Sequence, residues 1–290
     1  MVEHRPWLTF ITHALLILGC LIIAFPIYIT FVASTHTLDE ITSSFPIFPG
    51  SHLVENYMRA LSVGPRDLGA TVGTMMLNSL IMALGISFGK IFISLLAAFA
   101  IVYFKFRFRM FFFWLIFITL MLPVEVRILP TYKVAADLNM LDSYSGLIFP
   151  LIASATATFL FRQFFMTVPD ELCEAHRIDG GGPIRFFFDI LMPMSRTSIA
   201  ALFVILFIYG WNQYLWPLLI TTDERYYTLL IGIQRMLAVG DQQAEWNIIM
   251  ASAMLAMLPP VLVVIFMQKQ FVKGMTETEK QKKFGLRVVS

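Results

Sequence analysis

The chain has 290 residues, of which 58% are hydrophobic and 14% charged, and its mean hydropathy of +0.75 lies far outside the range of soluble domains. A net charge of +2 spread over that length gives no basis for nucleic-acid binding. Two cysteines, Cys20 in an apolar run and Cys173 in a polar one, argue against a disulfide framework or a metal cluster.

Taken in order, six stretches are apolar and long enough for membrane helices: 7–33, 73–103, 110–129, 145–165, 197–221 and 247–268. Each reaches the ~20 residues that cross ~30 Å of hydrocarbon. The first is too long for a signal-peptide core, so Val32-Ala33-Ser34 reads as part of an uncleaved anchor and not as a cleavage site. The second must tilt or project from the bilayer. Pro26 and the pair Pro259-Pro260 should kink their helices or hold them broken, either along a transport path or as plain packing kinks. The pattern predicts an all-α integral membrane protein with six transmembrane helices. Residues 1–72 supply an anchor helix and an external loop, 73–272 a core of five spans, and 273–290 a polar tail of mixed charge that suits a flexible end.

Of the 21 Lys and Arg residues, Arg59, Arg66, Arg127, Lys133, Arg225 and Arg235 fall on one side of this arrangement and Lys90 within a span; the other fourteen fall on the opposite side. Cytoplasmic loops carry the excess of Lys and Arg, which puts both termini inside. Residues 34–72, with the apolar turn-rich run Phe45-Pro46-Ile47-Phe48-Pro49-Gly50, and 222–246 are then external. Either can receive a soluble binding protein or simply cap the bundle.

Polar residues inside the spans are the candidates for a solute path. Lys90 stands 15 positions past Met75, ~22 Å along a helix, where an ammonium costs on the order of 3 kcal/mol. It either faces a wet cavity and attracts an anionic solute, or is held by helix-end carbonyls or a neighbouring carboxylate. The surrounding Gly85-Ile86-Ser87-Phe88-Gly89-Lys90-Ile91 is one residue short of a phosphate loop and lies within a span. Gly85 and Gly89 fit close helix packing instead. Arg127 can hold a phosphate bidentately or pair with Glu125. In Trp211-Asn212-Gln213 the amides can bond solute hydroxyls and the rings can stack on a sugar face. The alternative is an interfacial aromatic belt with amides bonding between helices.

The stretch 167–193, TVPDELCEAHRIDGGGPIRFFFDILMP, interrupts this apolar pattern with seven charged residues. Thr167 reads as an N-cap with Pro169 and Asp170 in the first turn. Gly180, Gly181 and Gly182 stop the helix, Pro183 opens a second, and Pro193 closes the segment. A charged helix–Gly–helix insert between membrane-length segments must sit at an interface. On the charge rule, that interface is the cytoplasmic one.

Glu174-Ala175, Asp179-Gly180, Ile190 and Pro193 stand at the spacing of the coupling loop in permease subunits of bacterial ABC importers, which this chain resembles. It departs at His176, where a second Ala is usual, at Gly181, where Ala often follows, and at Met192 for Leu. Asn78-Ser79-Leu80, the Trp211-Asn212 element and the loop are similar to the carbohydrate-importer (maltose-permease-like) branch. Within that branch, Arg5-Pro6-Trp7-Leu8, ITLMLPVEVR (118–127) and SATATFLFRQFFMTVPDEL (154–172) resemble the glycerol-phosphate permeases. The family's usual ending after Lys273-Gly274 is missing.

The resemblance implies a type I importer permease fold with a cytoplasmic coupling helix, in a bacterial inner membrane. It implies as partners a homologous second permease, two cytoplasmic ATPase subunits and a periplasmic substrate-binding protein, with a small anionic solute and membrane lipid. Glu174, Ala175, Asp179, Gly180, Ile190 and Pro193 would couple to the ATPase. Lys90, Asn78, Arg127, Asn212, Gln213 and Trp211 would line the substrate path. This chain would bind no cofactor and catalyse nothing, ATP and Mg being used by the partner ATPases. The other readings are a permease for a neutral di- or oligosaccharide and, from a different class, a secondary transporter. No carboxylate stands clearly mid-span to serve the latter.

Overall fold

The computed structural model describes residues 6–44, 46–63, 69–121, 124–238 and 244–287, and their side chains except at 6, 119–121, 124, 125 and 269–287. No strand occurs among the described residues. The helices are α1 (Pro6–Ser34), α2 (Leu38–Ser43), α3 (Leu53–Ser62), α4 (Val72–Tyr103), α5 (Arg109–Met121), α6 (Val124–Asp137), α7 (Tyr144–Ile148), α8 (Ala155–Phe165), α9 (Asp170–Ile178), α10 (Pro183–Phe186), α11 (Met192–Met194), α12 (Arg196–Trp211), α13 (Leu215–Ile220), α14 (Leu229–Leu237) and α15 (Trp246–Arg287).

Three helices are long and apolar enough to cross a membrane unbroken, at Trp7–Ser34, Val72–Tyr103 and Trp246–Gln268. The other expected spans are interrupted. Residues 110–129 divide between α5 and α6, with 122–123 outside the described residues. Residues 145–165 form α7 and α8, bent by 51° where a 3-10 turn containing Pro150 runs into the N-cap of Ser154. Residues 197–221 divide into α12 and α13 on either side of Asn212–Tyr214. A 73° bend at Ser195 separates Pro183–Met194 from α12. Pro150 and the Ser154 cap thus divide a segment that hydropathy alone reads as continuous. Conversely, α15 runs through Pro259-Pro260 without a break in its assignment, and its backbone stays helical to Arg287, where composition suggested a flexible end. Glu, Lys and Gln are good helix formers there.

The chain divides into two compact units. One comprises 1–76 and 229–258. Its organiser is Asn56 of α3, buried, whose Nδ2 donates to the Ser34 and His36 carbonyls at 2.9 and 2.8 Å while its Oδ1 accepts from Asn247 Nδ2 at 3.0 Å. Arg59 pairs with Glu245, and Thr37 and Glu40 close a capping box on α2. The stretch after α1 is therefore folded onto its own unit. α1 exposes apolar side chains from Trp7 to Tyr28, while Val32, Ala33 and Ser34 at its end are buried, as suits a lipid-facing helix anchored at one end.

The second unit comprises 77–228 and 259–290. Here Gly85 and Gly89 of α4 allow close packing: a Cβ at either would reach Ile148 at 2.6 Å or Ile152 at 2.5 Å. Met82, Ile86, Ile128, Leu147, Trp216 and Ile220 form one buried cluster. Asp142, at φ 46°, ties the α6–α7 turn to the segment after α13 by accepting from Thr222 N, Thr222 Oγ1 and Asp223 N at 2.6, 2.8 and 2.8 Å. Partial burial opposes its ionisation, but these donors outweigh it and hold the carboxyl below the usual range.

Gly146 sits at the tightest point of that cluster. Its carbonyl accepts from Trp216 Nε1 at 3.0 Å, and a Cβ there would run into the Met140 carbonyl. Gly146→Ala should cost ~2 kcal/mol through overpacking, read as a lower melting midpoint in detergent. Gly19→Ala, with open space around it, should leave the midpoint unchanged or slightly raised.

Candidate functional site

The coupling segment begins two residues later than expected. Pro169 takes the N-cap position of α9, while Thr167 Oγ1 donates to Phe164 O at 2.7 Å and so closes the end of α8. Asp170 and Glu171 occupy the first turn of α9, and His176 and Arg177 the last, both suited to the helix dipole. The stop is a Schellman motif: Gly181 N donates to His176 O at 2.9 Å and Gly180 N to Arg177 O at 3.0 Å, with Gly180 at φ 78°. Pro183 opens α10, which runs into a π-helical turn, Phe187–Leu191, and then α11.

The two unusual residues of this loop prove to be one adaptation. The His176 ring lies where a Cβ on Gly181 would stand and packs on Phe186 at 5.6 Å. The imidazole of His176 therefore occupies the space that a side chain at 181 would need. Glu174, Ala175, Asp179 and Gly180 are exposed. So are Ile178 and Ile184, at 85% and 71%, which sequence reasoning passed over. Large aliphatic side chains flanking a polar glycine turn were the available signal. Ile190 and Pro193, in contrast, are partly buried, and Ile190 packs on the core beneath the loop.

That core is aromatic. Phe187 meets Phe99 at 5.1 Å and Phe186 meets Tyr103 at 5.2 Å, so the segment grips the C-terminal end of α4. Phe161 and Phe165 of α8 and Leu202 and Leu206 of α12 complete the cluster. A cavity of about 190 Å³ remains between α9, α10 and the end of α4.

Farther along the same helices lie the solute-path candidates. Lys90, 7% exposed, places Nζ 3.8 Å from the ring centroid of Tyr209 on α12. Gln213 donates to Tyr209 O at 3.1 Å, and Asn212 is exposed at the C-cap of α12. Tyr209 was missed in the sequence, although it stands three and four positions before those amides, on the same helical face. No carboxylate among the described residues pairs with Lys90 or Arg127; Glu125, the expected partner of Arg127, has its side chain outside the described set.

Two candidates have other duties. Asn78 is buried, donates to the Arg225 and Tyr227 carbonyls at 2.8 and 2.9 Å, and accepts from Tyr144 Oη at 2.7 Å. Its amide is engaged by the loop after α13. Trp211, 4% exposed, stacks on Phe207 at 6.0 Å and offers no open ring face.

A helical membrane bundle whose charged glycine turn is gripped by its longest span defines a transporter's membrane component. Residues 90–277 match the family described as binding-protein-dependent transport system inner membrane component, and the chain belongs to that family. It is similar to sn-glycerol-3-phosphate transport system permease proteins UgpE: 59% identical to that of Brucella melitensis and 58% to that of Agrobacterium fabrum, over 97% of this chain and all of each relative. The Escherichia coli O1:K1 relative is 56% identical over the same shares. A solved bacterial ABC transporter involved in the import of the acidic polysaccharide alginate shares the fold, with a TM-score of 0.81 over 93% of this chain and 99% of that one at 18% identity.

The His176–Gly181 fit is testable by a double-mutant cycle. Gly181→Ala should displace the imidazole and cost ~1 kcal/mol. In the background of His176→Ala the same substitution should cost close to nothing, both read from melting midpoints of the purified protein.

Proposed function

We propose that this chain is one of two membrane subunits of an ATP-driven importer for sn-glycerol 3-phosphate, with glycerophosphodiesters as related cargo. Lys90 carries the reading. A buried ammonium beside Tyr209, with no described carboxylate to neutralise it or Arg127, suits a solute that brings its own negative charge. Asn212 and Gln213 then face the glycerol hydroxyls. A neutral oligosaccharide would leave both cations without a counter-charge. The printed names of the relatives support the phosphate ester.

The energy enters from other subunits. Of two cytoplasmic ATPases that use ATP and Mg, one docks the exposed loop of this chain: Glu174, Ala175, Asp179 and Gly180 supply polar contacts, and Ile178 and Ile184 apolar ones. A homologous permease completes the path, and a periplasmic binding protein delivers the solute. Both termini, including the helical end of α15, lie on the ATPase side. Closure of the ATPases displaces the loop, and the aromatic joint at Phe99 and Tyr103 passes that displacement to α4. Lys90 stands nine residues from Phe99, ~13 Å along one rigid helix.

Lys90→Met should reduce glycerol-phosphate uptake by the reconstituted importer by roughly tenfold or more, in line with ~1.5–3 kcal/mol for a hydrogen bond to a charged group, and Lys90→Arg should retain part of it. Uptake by Lys90→Met equal to wild type would remove the anion reading. Gly180→Asp or Glu174→Lys should abolish uptake and ATPase co-purification while the subunit still inserts. Normal uptake by either variant would contradict the docking role.

A further inference from the structure

We infer that the cytoplasmic edge of α5 and α8 binds the phosphate headgroup of an anionic phospholipid. Arg162, one turn from the end of α8, holds its guanidinium 4.6 Å from the ring centroid of Phe113. Its Nε is buried with no acceptor among the described residues. Phe113 lies one turn along α5 from Arg109, so the two arginines share one face of that helix. Lys105 and Arg107, both exposed, enter from the turn before it, with Arg107 over Phe108 at 5.4 Å. None of these four cations pairs with a carboxylate among the described residues. Asp170 and Glu171, which follow Arg162 in the chain, are exposed on α9 and make no ion pair with these cations.

The surroundings select a lipid over a soluble anion. Phe106, Phe108, Phe111, Phe112 and Trp114 are all exposed around the cluster, giving an apolar collar beneath a set of cations. Acyl chains can lie along that collar while the phosphodiester reaches the arginines bidentately. The ring of Phe113 holds the Arg162 plane in place by a cation–π contact, so the donor fork is fixed before the headgroup arrives. Four unopposed positive charges favour a headgroup with net negative charge over a zwitterionic one.

The test uses the assembled importer in nanodiscs containing a photoactivatable phosphatidylglycerol or the matching phosphatidylcholine. The glycerol lipid should label residues 104–114, and the choline lipid should not. Labelling should fall several-fold in Arg162→Gln and less in Phe113→Leu, which keeps every charge. It should be unchanged in Arg225→Gln, a substitution in the external segment after α13. Added inorganic phosphate should not compete. Equal labelling by both lipids, or loss of labelling to inorganic phosphate, would overturn the proposal. So would crosslinking of Arg162 to an acidic residue of a partner subunit. If Arg162→Gln fails to assemble, Phe113→Leu decides the matter, since wild-type labelling in that variant would also count against the site.

Discussion

The contact between the coupling segment and the end of α4 is the constraint on which the mechanism depends. Phe186 and Phe187 leave the polar loop and meet Tyr103 and Phe99. Rings in such tilted and edge-on arrangements resist shear better than flexible aliphatic chains. A polar elbow in water would otherwise be a poor lever, because backbone around three glycines is free to yield. Here the Schellman stop holds α9 against the turn, Pro183 restarts the chain, and the π-helical turn directs two aromatic side chains back into the bundle. The exposed isoleucines and Glu174 therefore sit on a segment that packed rings anchor to the bundle.

The same two helices that hold the loop carry the polar groups farther along. α4 bears Lys90 and α12 bears Tyr209, and the contact between those residues keeps a charge in the bundle that lipid would expel. Burying an ammonium is costly unless something compensates it. A ring face offsets part of that cost, and a passing anion offsets more. Among the described residues, no carboxylate completes the neutralisation of Lys90.

The positions where sequence reading fell short share a physical cause. Asn78 entered the solute path through the resemblance alone; the backbone carbonyls after α13, 147 residues away, engage its buried amide, and no local pattern reveals them. Trp211 was read with its neighbours Asn212 and Gln213, although adjacent helical residues point about 100° apart and its ring is buried against Phe207. The interrupted spans were read as continuous because hydropathy reports solvent and says nothing of bends. The coupling loop was legible because its determinants are local: a glycine in the left-handed region, acids at a helix start and prolines at fixed positions each act within a few residues.

By itself, then, the sequence determined that this is a helical membrane protein with a charged glycine turn on one side and a lone lysine at depth, since hydrophobic length, helix caps and charge bias are properties of consecutive residues. Only the tertiary structure decided which aromatic residues grip the turn, why His176 and Gly181 occur together, and that Tyr209 faces Lys90. Those facts depend on side chains brought into contact across long stretches of chain, and packing, unlike periodicity, has no signature in the order of the residues.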